Sequence, residues 1–294
     1  MATLANLSFS EAGVITLTAS VADGDYLGAG AVTGTPSAAI GRFHPDRFAL
    51  SATSVLNRAA AACSPASAFT YLGETFRLGW TLTAQNTSGA TTMNYSTASG
   101  FAKLDPTGAA NWNLRGAAGS AVFSTATSRL SLGASTGSWL AGVASGITLT
   151  ATPTRSASPD GPFSIAFGIA PVDSDGVAMQ TFDLASNPPS ASADRALVGV
   201  VQARHGRLKL SNGQGSELVN LPLAVAVQSW NGSTFAPNTP DSCTTLTAPS
   251  SIAGLAFAAQ TATNKLAGGE TTASVSALMS GLAALTLSRP GAGN

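Results

Sequence analysis

FTYLGETFRLGWTLTAQN, residues 69–86, decides the architecture: it reads as two strands hinged at Gly73 and Glu74, with Trp80 inside the alternating run of the second. Working outward, the same texture recurs. VITLTASV (14–21), FALSA (48–52), MNYSTASGFAKL (93–104), AVFSTA (121–126), ITLTATPT (147–154), FSIAFGIAPV (163–172), RLKLSN (207–212), ELVNLPLAVAVQSW (217–230) and LAALTLS (282–288) each read as a strand, and Gly, Pro, Asn or Asp separates them. Short strands punctuated in this way point to sandwiches rather than to βαβ units. Two windows, SATSVLNRAAAA (51–62) and ETTASVSALMSGL (270–282), have a weak helical texture without a stripe, so at most short helices are expected there. The expected fold class is all-β: immunoglobulin-like antiparallel β-sandwiches, two of them packed or in tandem, with little or no helix.

Composition agrees. The 294 residues include only 14 acidic and 14 basic side chains. So little Lys and Glu leaves few good surface helix formers, whereas Thr, Val and aromatic residues suit half-buried strands. The net charge of zero offers no footprint for a polyanion, which argues against nucleic acid as a partner. No run of about 18 apolar residues occurs, so insertion into a membrane by a spanning helix is not expected. The opening MATLANLSFSEAGVITLTAS lacks the basic and apolar regions of an export signal, and the ending LTLSRPGAGN is a turn-rich tail. The reading adopted is a piece of a longer exported protein rather than a cytosolic one. The linker-like TPTRSASPDGP (152–162) suggests a division into 1–40 as the end of a preceding immunoglobulin-like unit or leading strands, 41–155 as a first sandwich and 161–294 as a second. A single elaborated domain over 41–294 is the alternative.

Few residues invite chemistry. Cys63 and Cys243 lie in small or polar loops. Bonded, they would close a loop of roughly 180 residues and add about 3 to 5 kcal/mol; unpaired, they are two thiols. Asp173 and Asp175 in VDSDGV stand two apart before Gly176, a spacing that lets two carboxylates converge on calcium, although Asp-Gly is equally an ordinary turn. His44 and His205 have no zinc-spaced companions and read as partly exposed strand-end residues. No nucleophile elbow, zinc-protease, P-loop or dinucleotide motif is present. Trp80 and Trp230 read as core, while Trp112, between polar neighbours in GAANWNLRG, is the candidate to stack on a glycan. The Asn-x-Ser/Thr sites at Asn6, Asn86, Asn94 and Asn231 read as turns.

Three blocks carry a resemblance: IGRFHPDRFALSA (40–52) with 69–86, GPFSIAFGIAPVDSDGV (161–177), and HGRLKLSNGQGSELVNLPLAVAVQSWNGSTFAPNTPDSCT (205–244). Together they resemble the C-terminal region of large exported bacterial proteins of the MshQ type, found at type IV pilus loci of the mannose-sensitive haemagglutinin (MSHA). The resemblance implies a piece of an extracellular or cell-surface protein, with other domains of that protein or pilus components as partners and an adhesive or assembly role. It supplies no catalytic residue, and no cofactor beyond the calcium already weighed is expected.

The expected function is therefore a non-enzymatic structural or adhesive module of the bacterial surface. A carbohydrate-binding module or hydrolase accessory is the alternative, with glycans as partners through Trp112. A third reading is a filament subunit that self-associates through an open sheet edge.

Overall fold

Alternation sets the longest strands, and pairing with neighbours recruits shorter, weaker ones. The computed structural model describes residues 8–61, 63–187, 192–248 and 270–291. Its strands are β1 (Gly13–Ile15), β2 (Ile40–Phe43), β3 (Arg47–Leu56), β4 (Thr70–Tyr71), β5 (Phe76–Gln85), β6 (Arg115–Ala118), β7 (Ala121–Phe123), β8 (Leu130–Thr136) and β9 (Val143–Pro153). They continue with β10 (Phe163–Ile169), β11 (Ala178–Met179), β12 (Ala196–Arg204), β13 (Gly206–Leu210), β14 (Leu221–Trp230), β15 (Phe235–Pro237), β16 (Ala273–Val275) and β17 (Leu282–Leu287). The sole helical element among the described residues is one 3-10 turn, Ala109–Trp112. The chain is all-β. Two compact units take turns along it: unit 1 is Met1–Val55, Arg77–Ala151 and Ala166–Val200, and unit 2 is Leu56–Phe76, Thr152–Ile165 and Val201–Asn294. The stretch 152–162, linker-like in composition, lies within unit 2.

In unit 1 the order β11-β3-β5-β9-β8 makes one sheet, and β12, β10, β6 and β7 follow one another in a second. β6 pairs antiparallel with both β10 and β7, and the two-residue β11 joins β3 in parallel. β5 shows why the sandwich closes: Leu78, Trp80, Leu82 and Ala84 point inward and are buried, while the residues between them face outward. Ile147, Leu149, Phe167, Ile169 and Val198 fill the same interior. At each fully buried aromatic of this size about 150–250 Å² leaves water, so these rings dominate the core's stability.

Unit 2 is a sheet in the order β13-β14-β17-β16, with β15 pairing the end of β14. Directly opposed residues share a face, so the registers Leu210↔Val225↔Ala283 and Leu223↔Leu285↔Val275 make one apolar side. Phe69, Tyr71, Val227 and Leu278 form the buried cluster there, with Leu246 and Ala283 packed against it. Phe69 and Tyr71 arrive because β4 pairs in parallel with the end of β12, through Thr70↔Ala203 and Tyr71↔Arg204.

Several strand expectations need correction. Residues 93–104 are turns, not a strand: the Ser99 hydroxyl donates to the carbonyls of Asn94 and Ser96, a local bond that competes with a ladder. VITLTASV contributes only the end of β1 and an isolated bridge at Ser20. The window at 51–61 is the end of β3 followed by a turn, and 270–282 contains β16; neither is helical, because tertiary pairing outweighs a weak propensity.

Candidate functional site

A dense cluster of polar side chains lies inside unit 2, beside the two cysteines. Four segments meet: the turn after β3 brings Arg58, β4 brings Tyr71, the end of β12 brings Arg204, and the loop after β15 brings Asn238, Asp241 and Thr244. Arg58 sits in the left-handed region with φ 48°, a conformation that costs a non-glycine residue about 1–2 kcal/mol and so needs partners to hold it. It has them. Its amide donates to Thr70 Oγ1 at 3.1 Å, Nη1 to Asp241 Oδ1 at 2.9 Å, and Nη2 to Thr244 Oγ1 at 2.8 Å and Glu74 Oε1 at 3.1 Å. Nε lies 3.0 Å from Glu74 Oε2, close enough for the charges to attract although off the line of a hydrogen bond. The guanidinium carbon is 5.2 Å from the ring centre of Tyr71 and 5.5 Å from that of Phe69.

Asp241 is buried and accepts from every side. Besides Arg58, it takes the amides of Cys243 and Thr244 at 3.0 Å each, the Thr244 hydroxyl at 2.5 Å and the Tyr71 hydroxyl at 2.9 Å. Burial alone would push its carboxyl up, but the hydrogen bonds from Thr244, Cys243 and Tyr71 outweigh it and hold the group at about 2. Tyr71 goes the other way: burial, reinforced by the Asp241 carboxylate, raises its phenol well above the ordinary value. Burial alone would lower the Arg58 guanidinium, but Glu74 and Asp241 more than offset it and raise the group further. Asn238 donates to the Tyr71 oxygen and accepts from Arg204, whose guanidinium lies 4.4 Å over Phe69.

The expected bridge is present next to this network. Cys63 and Cys243 are bonded, with Cα atoms 5.3 Å apart and a sequence separation of 180, and no described cysteine is free. Asp241 caps the amide of Cys243 itself, so the carboxylate that neutralises Arg58 also shapes the turn that presents the sulfur. A recess of about 240 Å³ adjoins the network, lined by Tyr71, Glu74, Arg155, Thr244 and Leu246 among others. Tyr71, Glu74 and Thr244 also hydrogen-bond within the network. What the arrangement does physically is hold four segments together.

The other singled-out residues fall elsewhere. In unit 1, Asp173 Oδ1 accepts the amides of Asp175 and Val177 at 2.9 Å each, and its Oδ2 accepts the Tyr95 hydroxyl at 2.8 Å. Asp175 pairs instead with Arg42 at 2.9 Å. The two carboxylates do not converge, and the oxygens that calcium would need face protein donors. Among the described residues, no three His, Cys, Asp or Glu side chains are placed to hold a metal ion. Tyr95 also accepts the amides of Lys103 and Leu104, and burial followed by the Asp173 charge raises its phenol. This is a strut under a turn.

Trp112 needs correction as a glycan contact. It is fully buried, 5.0 Å from Trp80 edge to face, and its Nε1 donates to Ser135 Oγ at 2.8 Å. The 3-10 turn Ala109–Trp112 rolls the indole inward while its polar neighbours stay outside, so the composition of the loop misreports the ring. Trp80 is core as expected, and Trp230 is half-buried against Phe235. His205, expected to be partly exposed, is buried at the junction of β12 and β13. Arg155 can only donate, so His205 Nε2 accepts from it at 2.9 Å and Nδ1 faces Asp160 at 3.2 Å. Both ring nitrogens are thereby engaged. His44 is exposed, its Nδ1 2.8 Å from the Pro45 carbonyl.

Arg58, Tyr71, Asn238 and Asp241 were not found from sequence, since Arg58 and Asp241 are 183 residues apart. One local signal existed: in NTPDSCT (238–244), a Pro-Asp turn two residues after Asn238 leads into a cysteine. Residues 11–197 match the family described as DUF6701, third domain, and residues 204–294 the one described as DUF6701, fourth domain. No curated protein and no solved structure matches the chain.

Proposed function

We propose that this chain, which belongs to the DUF6701 family through its third and fourth domains, is a non-enzymatic structural module of an exported bacterial surface protein. The observation that carries the reading is the Cys63–Cys243 bond lodged against an ion network built on the buried Arg58 and Asp241. Disulfides form and persist outside the reducing cytosol, which favours export. A network whose charged groups meet one another across four segments stabilises a fold. The MshQ-like resemblance of residues 205–244 adds the expectation of a pilus or envelope setting, with an adhesive or assembly role and neighbouring domains as partners.

Antibody raised against the purified chain tests the location. Labelling of intact cells without permeabilisation is expected; labelling only after lysis contradicts it. Hydrolysis of polysaccharide or peptide by the purified chain, abolished by a single carboxylate substitution, would contradict the non-enzymatic part. The carbohydrate-binding alternative loses its motivating residue, since Trp112 presents no face to solvent. Self-association keeps one: β13 forms an edge of its sheet and leaves Leu208 and Leu210 about half exposed.

A further inference from the structure

We infer that the Cys63–Cys243 bond is a tension shunt: when the chain is pulled from both sides, load crosses from one sulfur to the other and bypasses the residues between them. The argument rests on the surface-module reading only for the origin of the load. The rest is connectivity. The bond closes a ring of 180 residues that contains β4 through β15, whereas β1, β2 and β3 precede it and β16 and β17 follow it. Tension entering along β3 and leaving beyond Thr244 therefore has a covalent route that excludes most of both compact units.

The buried network gives this route a first stage. Arg58 lies before the ring and Thr244 just after it, yet Arg58 Nη2 donates to Thr244 Oγ1 at 2.8 Å. Asp241, two residues before the second sulfur, holds Arg58 at 2.9 Å and the Thr244 amide at 3.0 Å. Load arriving from either side meets these contacts before it reaches the sulfurs. Burial shields them from water and salt, which makes them resist better than an exposed ion pair. The device thus has two parts, an ion clamp that yields first and a covalent link that then goes taut. With about 3.3–3.6 Å per extended residue, the ring withholds on the order of 600 Å of chain.

Force–extension measurement on the purified chain, held by handles at its two ends, tests the proposal. Unreduced protein is expected to stop about 600 Å short of the extension reached once reductant is added. The Cys63→Ser, Cys243→Ser double variant should reach the longer extension without reductant; if it does not fold, reductant added to the wild type carries the comparison. Asp241→Asn should lower the force of the event that precedes the taut state and leave the final extension unchanged. The proposal is overturned if unreduced protein reaches full extension, if reductant adds no length, or if Asp241→Asn leaves every force unchanged. Since no cell is involved, failure here is distinct from failure of the surface labelling.

Discussion

Asp241 concentrates the energetics of unit 2 in one carboxylate. Five protein donors surround it, and its carboxyl is held at about 2 against an ordinary 3.8. Because the folded value is the lower one, the stability this group contributes is fully present above the unfolded value and drains away as pH falls towards the folded one. Chemical denaturation as a function of pH should show a loss of about 2 kcal/mol between roughly pH 4 and pH 2. Asp241→Asn should flatten that acid limb. It should also lower stability at neutral pH by about 1–3 kcal/mol, because the buried Arg58 then keeps only the partly exposed Glu74 to meet its charge. Trp112→Ala makes a different point at the same scale. Removing a fully buried indole should cost about 3–5 kcal/mol in thermal or urea unfolding, whereas an exposed glycan platform would lose almost nothing. Neither residue was legible in sequence for its role: Asp241 meets Arg58 and Tyr71 from 183 and 170 residues away, and Trp112 hides behind polar neighbours. The turns at Asn86 and Asn231 were legible, since each side-chain oxygen accepts amides two to four residues ahead, a local interaction that needs no tertiary information.

Strands were legible where one face is unbroken. β5, β10 up to Phe167 and β14 up to Val227 show their inward residues directly as alternation. β12 escaped because its inward set shifts from Ala196 and Val198 to Val201 and Ala203, an irregularity that erases the period of two. β9 has a similar slip at Ser145 and Gly146, and Gly146 takes φ +62° there. β8, LSLGAST, is a strand by pairing rather than by propensity. Close packing in unit 1 adds a further constraint on β12: a Cβ on Gly199 would lie 2.4 Å from Val55 Cγ2 on β3. Gly199→Val should therefore lower stability by about 1–3 kcal/mol despite a better strand propensity, as read from the shift in melting temperature. An unchanged or raised melting temperature would show that propensity, not sheet-to-sheet contact, governs the site.

Across the whole molecule, the all-β class was legible from texture, whereas the compact units were not. Composition marks turns and linkers, but the chain passes between the units within β3, β5, β9, β10 and β12, where no cluster of Gly, Ser or Pro marks the passage. The bond between Cys63 and Cys243 was open in sequence, because separation along the chain says nothing about proximity in space. Its presence links the account's residue chemistry to its proposed setting: the ring is closed only where the chain matures in an oxidising environment. Thiol titration of the denatured chain, harvested without reductant from the cells that make it, is the most direct test. The account predicts that no thiol reacts, and two reactive thiols per chain would contradict it.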